Sequence, residues 1–183
     1  MVVYIGRIKG NVDKWVSLVK RTNDLQIRFT KQTGTQDWME CVRDDGTSTS
    51  CPLPKQGILP HDFVHYVVED TLDLRQGFWG IIAVGVGFPK SAPPWDASEF
   101  ELPDLTEALQ AESLVECFQA EMWNDFQLSE NFAEILQITC QQRGVQAPQF
   151  SSTTLLQVRQ RLQTFSQQWQ SLPIGKTLEV EFF

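Results

Sequence analysis

At 183 residues, with 42% apolar side chains, 21% charged, twelve Phe and six Trp, the chain has enough apolar mass to fold around one substantial core, and its composition excludes a disordered or fibrous protein. A net charge of −8 argues against nucleic acid and anionic membrane surfaces as partners, because phosphates recruit clustered Lys and Arg. The longest apolar run, Gly77 to Phe88, falls short of the roughly 20 residues that span a bilayer, and no secretory signal opens the sequence; the expectation is one soluble, cytoplasmic domain over residues 1–183.

The charge is uneven. Residues 1–31 hold seven basic side chains against Asp13 and Asp24, which leaves −13 on the remainder. Residues 1–24 are a candidate appendage, and their basic surface is read as docking on the acidic body of the same chain. Within it, "NVDKWVSLVK" places Val12, Trp15, Val16 and Val19 at helical spacing behind Asn11, with a strand as the alternative.

"LQIRFTKQ" alternates Leu25, Ile27 and Phe29 with Gln26, Arg28 and Thr30, the period of a half-buried strand. With "DWMECVRDDGTSTSCPLP" it predicts a three-stranded antiparallel meander over residues 25–53, turning at Asp45-Gly46. If that turn has a two-residue loop, Cys41 faces Ser50 and Cys51 faces Glu40, so the two sulfurs point to opposite sides; a shifted register would bring them together. Cys117 and Cys140 complete a set without CxxC spacing, which fits buried free thiols rather than a zinc ribbon or redox pair.

Pro52, Pro54 and Gly57 stop the strands, and Pro60 suits the start of a helix running to about Asp73. Phe78 to Val86 is apolar nearly all round and reads as a short buried helix or a core strand. The Pro-rich stretch 89–103 reads as a surface loop. Helices follow at about 104–123, at 129–143 with Gly144 as its stop, and at 152–171 behind "SSTT". Finally, "GKTLEVEFF" alternates as a strand closing on the N-terminal sheet. Trp79, Trp95, Trp123 and Trp169 are expected to pack in the core or between helices. The fold class is α+β: a small antiparallel sheet, from the meander and the C-terminal strand, packed with a bundle of about four to five helices.

The two histidines of the chain, His61 and His65, stand four positions apart in "LPHDFVHYVVED". At about 100° per residue, His61, His65 and Glu69 form one helical ridge at roughly 0°, 40° and 80°, beside a stripe of Phe63, Val64, Val67 and Val68. Imidazoles at i and i+4 can present nitrogens to one ion, with a carboxylate as third ligand and a position left for water. The candidate metal ligands are His61, His65, Glu69 and Glu116, with Glu112 and Glu121 of the same later helix as further candidates for the third place. Asp62 is the candidate catalytic base. Zn is the expected cofactor, and the expected activity is hydrolysis of a small-molecule substrate. The alternative is a non-catalytic ligand-binding or interaction module whose His pair is structural or pH-sensitive.

His61-Asp62-Phe63-Val64-His65 resembles the HExxH motif of zincin metalloproteases over five residues, or nine with Glu69. That likeness implies zinc on His61 and His65 and deprotonation of the metal-bound water by Asp62, which is one methylene shorter than the family's Glu. Pro60, His61, Asp62, His65, Tyr66, Val68, Glu69, Gly77, Phe78 and Gly80 also resemble the PHDxxHYxVE…GFxG core of a family of small uncharacterised bacterial proteins. That resemblance implies a β-hairpin before the motif and a C-terminal strand after Trp169, Leu172, Pro173 and Gly175; it implies no activity.

Overall fold

The computed structural model describes residues 24–85 and 104–183. The helix-or-strand reading of residues 11–20, the docking of the basic appendage and the loop 89–103 lie outside the described residues. Three strands open the described chain, β1 (Leu25–Thr30), β2 (Gln36–Arg43) and β3 (Ser48–Pro54), and β4 (Thr177–Phe182) closes it. All pairs are antiparallel, in the order β3-β2-β1-β4. The period-2 pattern sets the faces: Leu25, Ile27, Phe29, Met39, Cys41, Leu53, Val180 and Phe182 are buried on the inner face. On the other face the directly opposed residues Arg28, Glu40 and Glu179 make ion pairs at 3.1 and 2.8 Å.

The β2–β3 turn corrects the register expected for a two-residue loop. Gly46 takes φ 79° and donates its N–H to the Arg43 carbonyl at 2.9 Å, while the Arg43 N–H reaches Thr47 O at 2.9 Å. Three residues therefore form the loop, with glycine in the left-handed position. The pairing moves by one, so that Cys41 faces Thr49 and Cys51 faces Met39. Because 39 and 41 share a face, both sulfurs come to the inner side, and both remain free thiols.

Among the described residues, five helices lie between β3 and β4: α1 (His61–Leu72), α2 (Phe78–Ala83), α3 (Thr106–Trp123), α4 (Phe132–Gln142) and α5 (Ser152–Ser171). Pro60 stands just before α1, and Asp73 ends the helix in the left-handed conformation at φ 58°. The Ser151 side chain caps α5 by accepting the Thr154 N–H at 3.0 Å. Gly144, at φ 75°, follows α4 as the expected stop.

α1 is the central element. Its Phe63 stacks on Phe29 of the sheet, with ring centroids 4.3 Å apart, and meets Phe165 of α5 at 5.0 Å. α3 and α5 flank it, and every residue from Phe63 to Glu69 is buried. The expected half-buried ridge is therefore enclosed at His65 and Glu69, because neighbours pack on both flanks of the apolar stripe, while His61 stays partly exposed. Trp79 and Trp169 are buried as expected; Trp123 is exposed. No helix among the described residues is long and apolar enough to cross a membrane.

Candidate metal centre

His61 begins α1, and His65 stands one turn further along. Their rings meet nearly edge to face, with centroids 4.8 Å apart and planes 80° apart. Across from them, α3 presents Glu112 and, seven residues on, Gln119, positions that share one helical stripe. His65 lies opposite Glu112 and His61 reaches Gln119, so the two helices run antiparallel at this point.

Each imidazole uses its two nitrogens differently. His65 Nδ1 lies 2.8 Å from Glu69 Oε1, and its Nε2 lies 3.4 Å from Glu112 Oε1. His61 Nδ1 lies 3.1 Å from Gln119 Oε1, and its Nε2 lies 3.9 Å from Glu112 Oε2. Both Nδ1 atoms thus face an acceptor, and both Nε2 atoms converge on one carboxylate. Ligating atoms of His61, His65 and Glu112 lie within 4.8 Å of one another. Tetrahedral bonds of about 2.05 Å separate donor atoms by about 3.3 Å; the 3.4 Å separation is close to that, whereas the 3.9 Å one, made to the other carboxylate oxygen, requires the side chains to close in. The three residues could hold a metal ion. Among the described residues, His65 Nε2 is buried without a well-formed hydrogen bond, its nearest acceptor being Glu112 Oε1 at 3.4 Å, a loose contact for a buried polar atom.

Glu69 is fully buried. Its carboxylate accepts the backbone N–H groups of Phe78 at 3.1 Å and Trp79 at 2.9 Å, besides facing His65. Gly77 makes room for it, since a Cβ there would lie 2.5 Å from Glu69 Oε2. Glu69, expected as a metal ligand, therefore stands behind His65, because helix geometry sends it past the imidazole to the start of α2. Glu116, also expected as a ligand, is turned one step around α3 and binds Arg143 at 2.9 Å. Glu121, a further candidate, is bound by Arg159. Of the acidic candidates, Glu112 is the one grouped with His61 and His65. Gln119 escaped a sequence reading restricted to metal-ligating side chains; its seven-residue spacing from Glu112 was the available signal.

The electrostatics follow from burial and these contacts. Burial alone would lower the His65 pKa, but Glu112 and Glu69 outweigh it and raise the group to about 10. Glu112 is held below its ordinary value: burial opposes ionisation, and His65 and His61 prevail. Burial raises Glu69 despite its bonds to His65 and the two N–H groups. Asp62 is raised by burial, partly offset by His65 and His61, which places it in the same electrostatic neighbourhood. Burial pushes the Cys51 thiol up to about 12 and the Cys41 thiol higher still, so neither supplies a thiolate near neutral pH. A groove of about 540 Å³ between α4, the 145–150 segment and α5 shares no residue with the imidazole group.

Set against models of known families, curated proteins and solved structures, the chain matches none. Its function is therefore inferred from its own residues.

Proposed function

We propose that this protein binds a divalent transition metal through Nε2 of His61, Nε2 of His65 and the Glu112 carboxylate, and that the ion serves hydrolysis of a small substrate. One observation carries the reading: two imidazoles, each backed by an acceptor at Nδ1, aim their other nitrogens at one carboxylate, and the inner one has no well-formed hydrogen bond there. Two nitrogens and an oxygen suit Zn²⁺, and three protein ligands leave a position for water. A zinc-bound water has its pKa lowered toward about 7. Asp62, whose pKa burial raises, is the group proposed to take up or return the proton.

A second reading is supported by depth. His65 and Glu69 are almost wholly inaccessible, and an ion here would tie α1 to α3, as a structural site does. Coordination separates the two: four protein ligands make the site structural, whereas a bound water permits chemistry. The primary test is elemental analysis of protein purified without a His tag, repeated on His61→Ala and Glu112→Ala. We expect close to one equivalent of metal in the wild type and loss in both variants. Equal stoichiometry in wild type and His61→Ala would remove this site from consideration.

A further inference from the structure

Both histidines are backed at Nδ1, but by unequal groups. His65 faces a carboxylate, Glu69, which is itself anchored by two backbone N–H groups and seated over Gly77. His61 faces a carboxamide, the Oε1 of Gln119. Gln119 is 6% exposed, and its Nε2 is buried without a hydrogen-bond partner among the described residues. The amide therefore uses its oxygen and leaves its donor end unused. An arrangement selected only for core stability would be expected to satisfy that donor or replace the side chain with an apolar one.

Resting on the metal reading above, we propose that Gln119 is a positioning residue for His61, as Glu69 is for His65, and that the unequal pair grades the site into a strong arm at His65 and a weak arm at His61. An acceptor at Nδ1 holds the ring and increases the donor strength of Nε2, and a carboxylate does so more than a carboxamide. His61 is also the exposed imidazole, its side chain 38% accessible against 1% for His65. The weak arm thus lies where an incoming ligand reaches the ion, and the site is built to exchange there while His65 holds.

The test is a titration of the purified full chain with cobalt(II), read by the visible absorption of the bound ion, beside thermal melts of each metal-free protein. Glu69→Gln should weaken cobalt binding by about 10- to 100-fold, the usual scale for outer acceptors of metal-bound histidines. Gln119→Leu should weaken it by less. Gln119→Glu should tighten it, since the carboxylate replaces the unused N–H₂ end, while lowering the melting temperature of the metal-free chain by burying a charge. Opposite signs in affinity and stability are a signature that a merely structural glutamine does not produce. If Gln119→Leu fails to fold, Gln119→Glu alone still decides. Cobalt affinity that Gln119→Glu leaves unchanged or weakens would overturn the assignment while leaving the metal site standing. A wild-type chain that binds neither cobalt nor zinc would remove the metal reading itself.

Discussion

α3 carries two inward-facing carboxylates, Glu112 and Glu121, and they meet opposite solutions. Glu121, 4% exposed, receives Arg159 through two bonds, Nε at 2.7 Å and Nη2 at 2.9 Å, and the Ser129 N–H at 3.0 Å. Arg159 in turn lies over the rings of Phe118 and Phe132. Both oxygens of the Glu121 carboxylate are thereby used. Glu112 instead faces two imidazole nitrogens at 3.4 and 3.9 Å, loose for hydrogen bonds, with the shorter near the spacing set by a shared ion. One carboxylate is thus closed by its partners, and the other stands beside a gap.

The contrast between the two carboxylates is probed most forcefully through pH. His65 is raised to about 10 from an ordinary 6.5, so its proton contributes stability fully below about 6.5, and that contribution is lost as pH climbs through about 10. Glu112 is shifted the other way: its contribution is present above its ordinary 4.5 and lost as pH falls below it. The metal-free chain should therefore melt at progressively lower temperature between about pH 6.5 and 10. With zinc the trend reverses, because the ion displaces the same proton and its affinity rises with pH. Melts with chelator and with zinc across that range check both signs; a flat metal-free profile would show that His65 has no such partner.

Next in size is Glu121→Ala. It leaves the partly buried Arg159 without its carboxylate, which should cost about 3 kcal/mol in urea unfolding, the low end for a buried pair, and leave metal stoichiometry unchanged in whatever remains folded. Gly77→Ala follows. The new Cβ would press on Glu69, and forced rearrangement of a packed site costs about 1–3 kcal/mol. Because Glu69 must move, His65 loses its backing and metal affinity should fall together with stability. A Gly77→Ala protein with wild-type cobalt affinity would mean that the seat under Glu69 is unimportant.

Much of this frame is legible in the amino-acid pattern. Leu25, Ile27 and Phe29 announce a strand by alternation, and the Ser151 cap and the Gly144 stop announce their helix ends. What is not legible has physical causes. The β2–β3 register depends on whether Gly46 closes a two- or a three-residue loop, and Asp-Gly serves both. The burial of α1 all the way round from Phe63 to Glu69 depends on α3 and α5 arriving on opposite flanks, which an amphipathic stripe does not encode. The choice of Glu112 over Glu116 depends on how α3 is rotated against α1, a packing outcome separated by one helical step. Glu69 stands out as a ridge residue, but its place behind His65 requires the Phe78 and Trp79 N–H groups, which the α1–α2 corner brings back over Gly77.

The finest test places the same loss of charge at both ends of the contrast. Glu112→Gln keeps the shape of the side chain and removes its charge. The side chain is 38% exposed, so solvent already screens much of what it gives His65, and the stability change should stay within about 1 kcal/mol. Glu121→Gln, by contrast, removes a buried charge facing a partly buried guanidinium and should destabilise markedly more. Metal content should run the other way, lost in Glu112→Gln and kept in Glu121→Gln. That crossing pattern is what a gap prepared for an ion predicts. If both substitutions instead lower stability alike and neither alters metal content, Glu112 is an ordinary ion-pair partner, and the 3.4 Å spacing is only a loose version of the contact at Glu121.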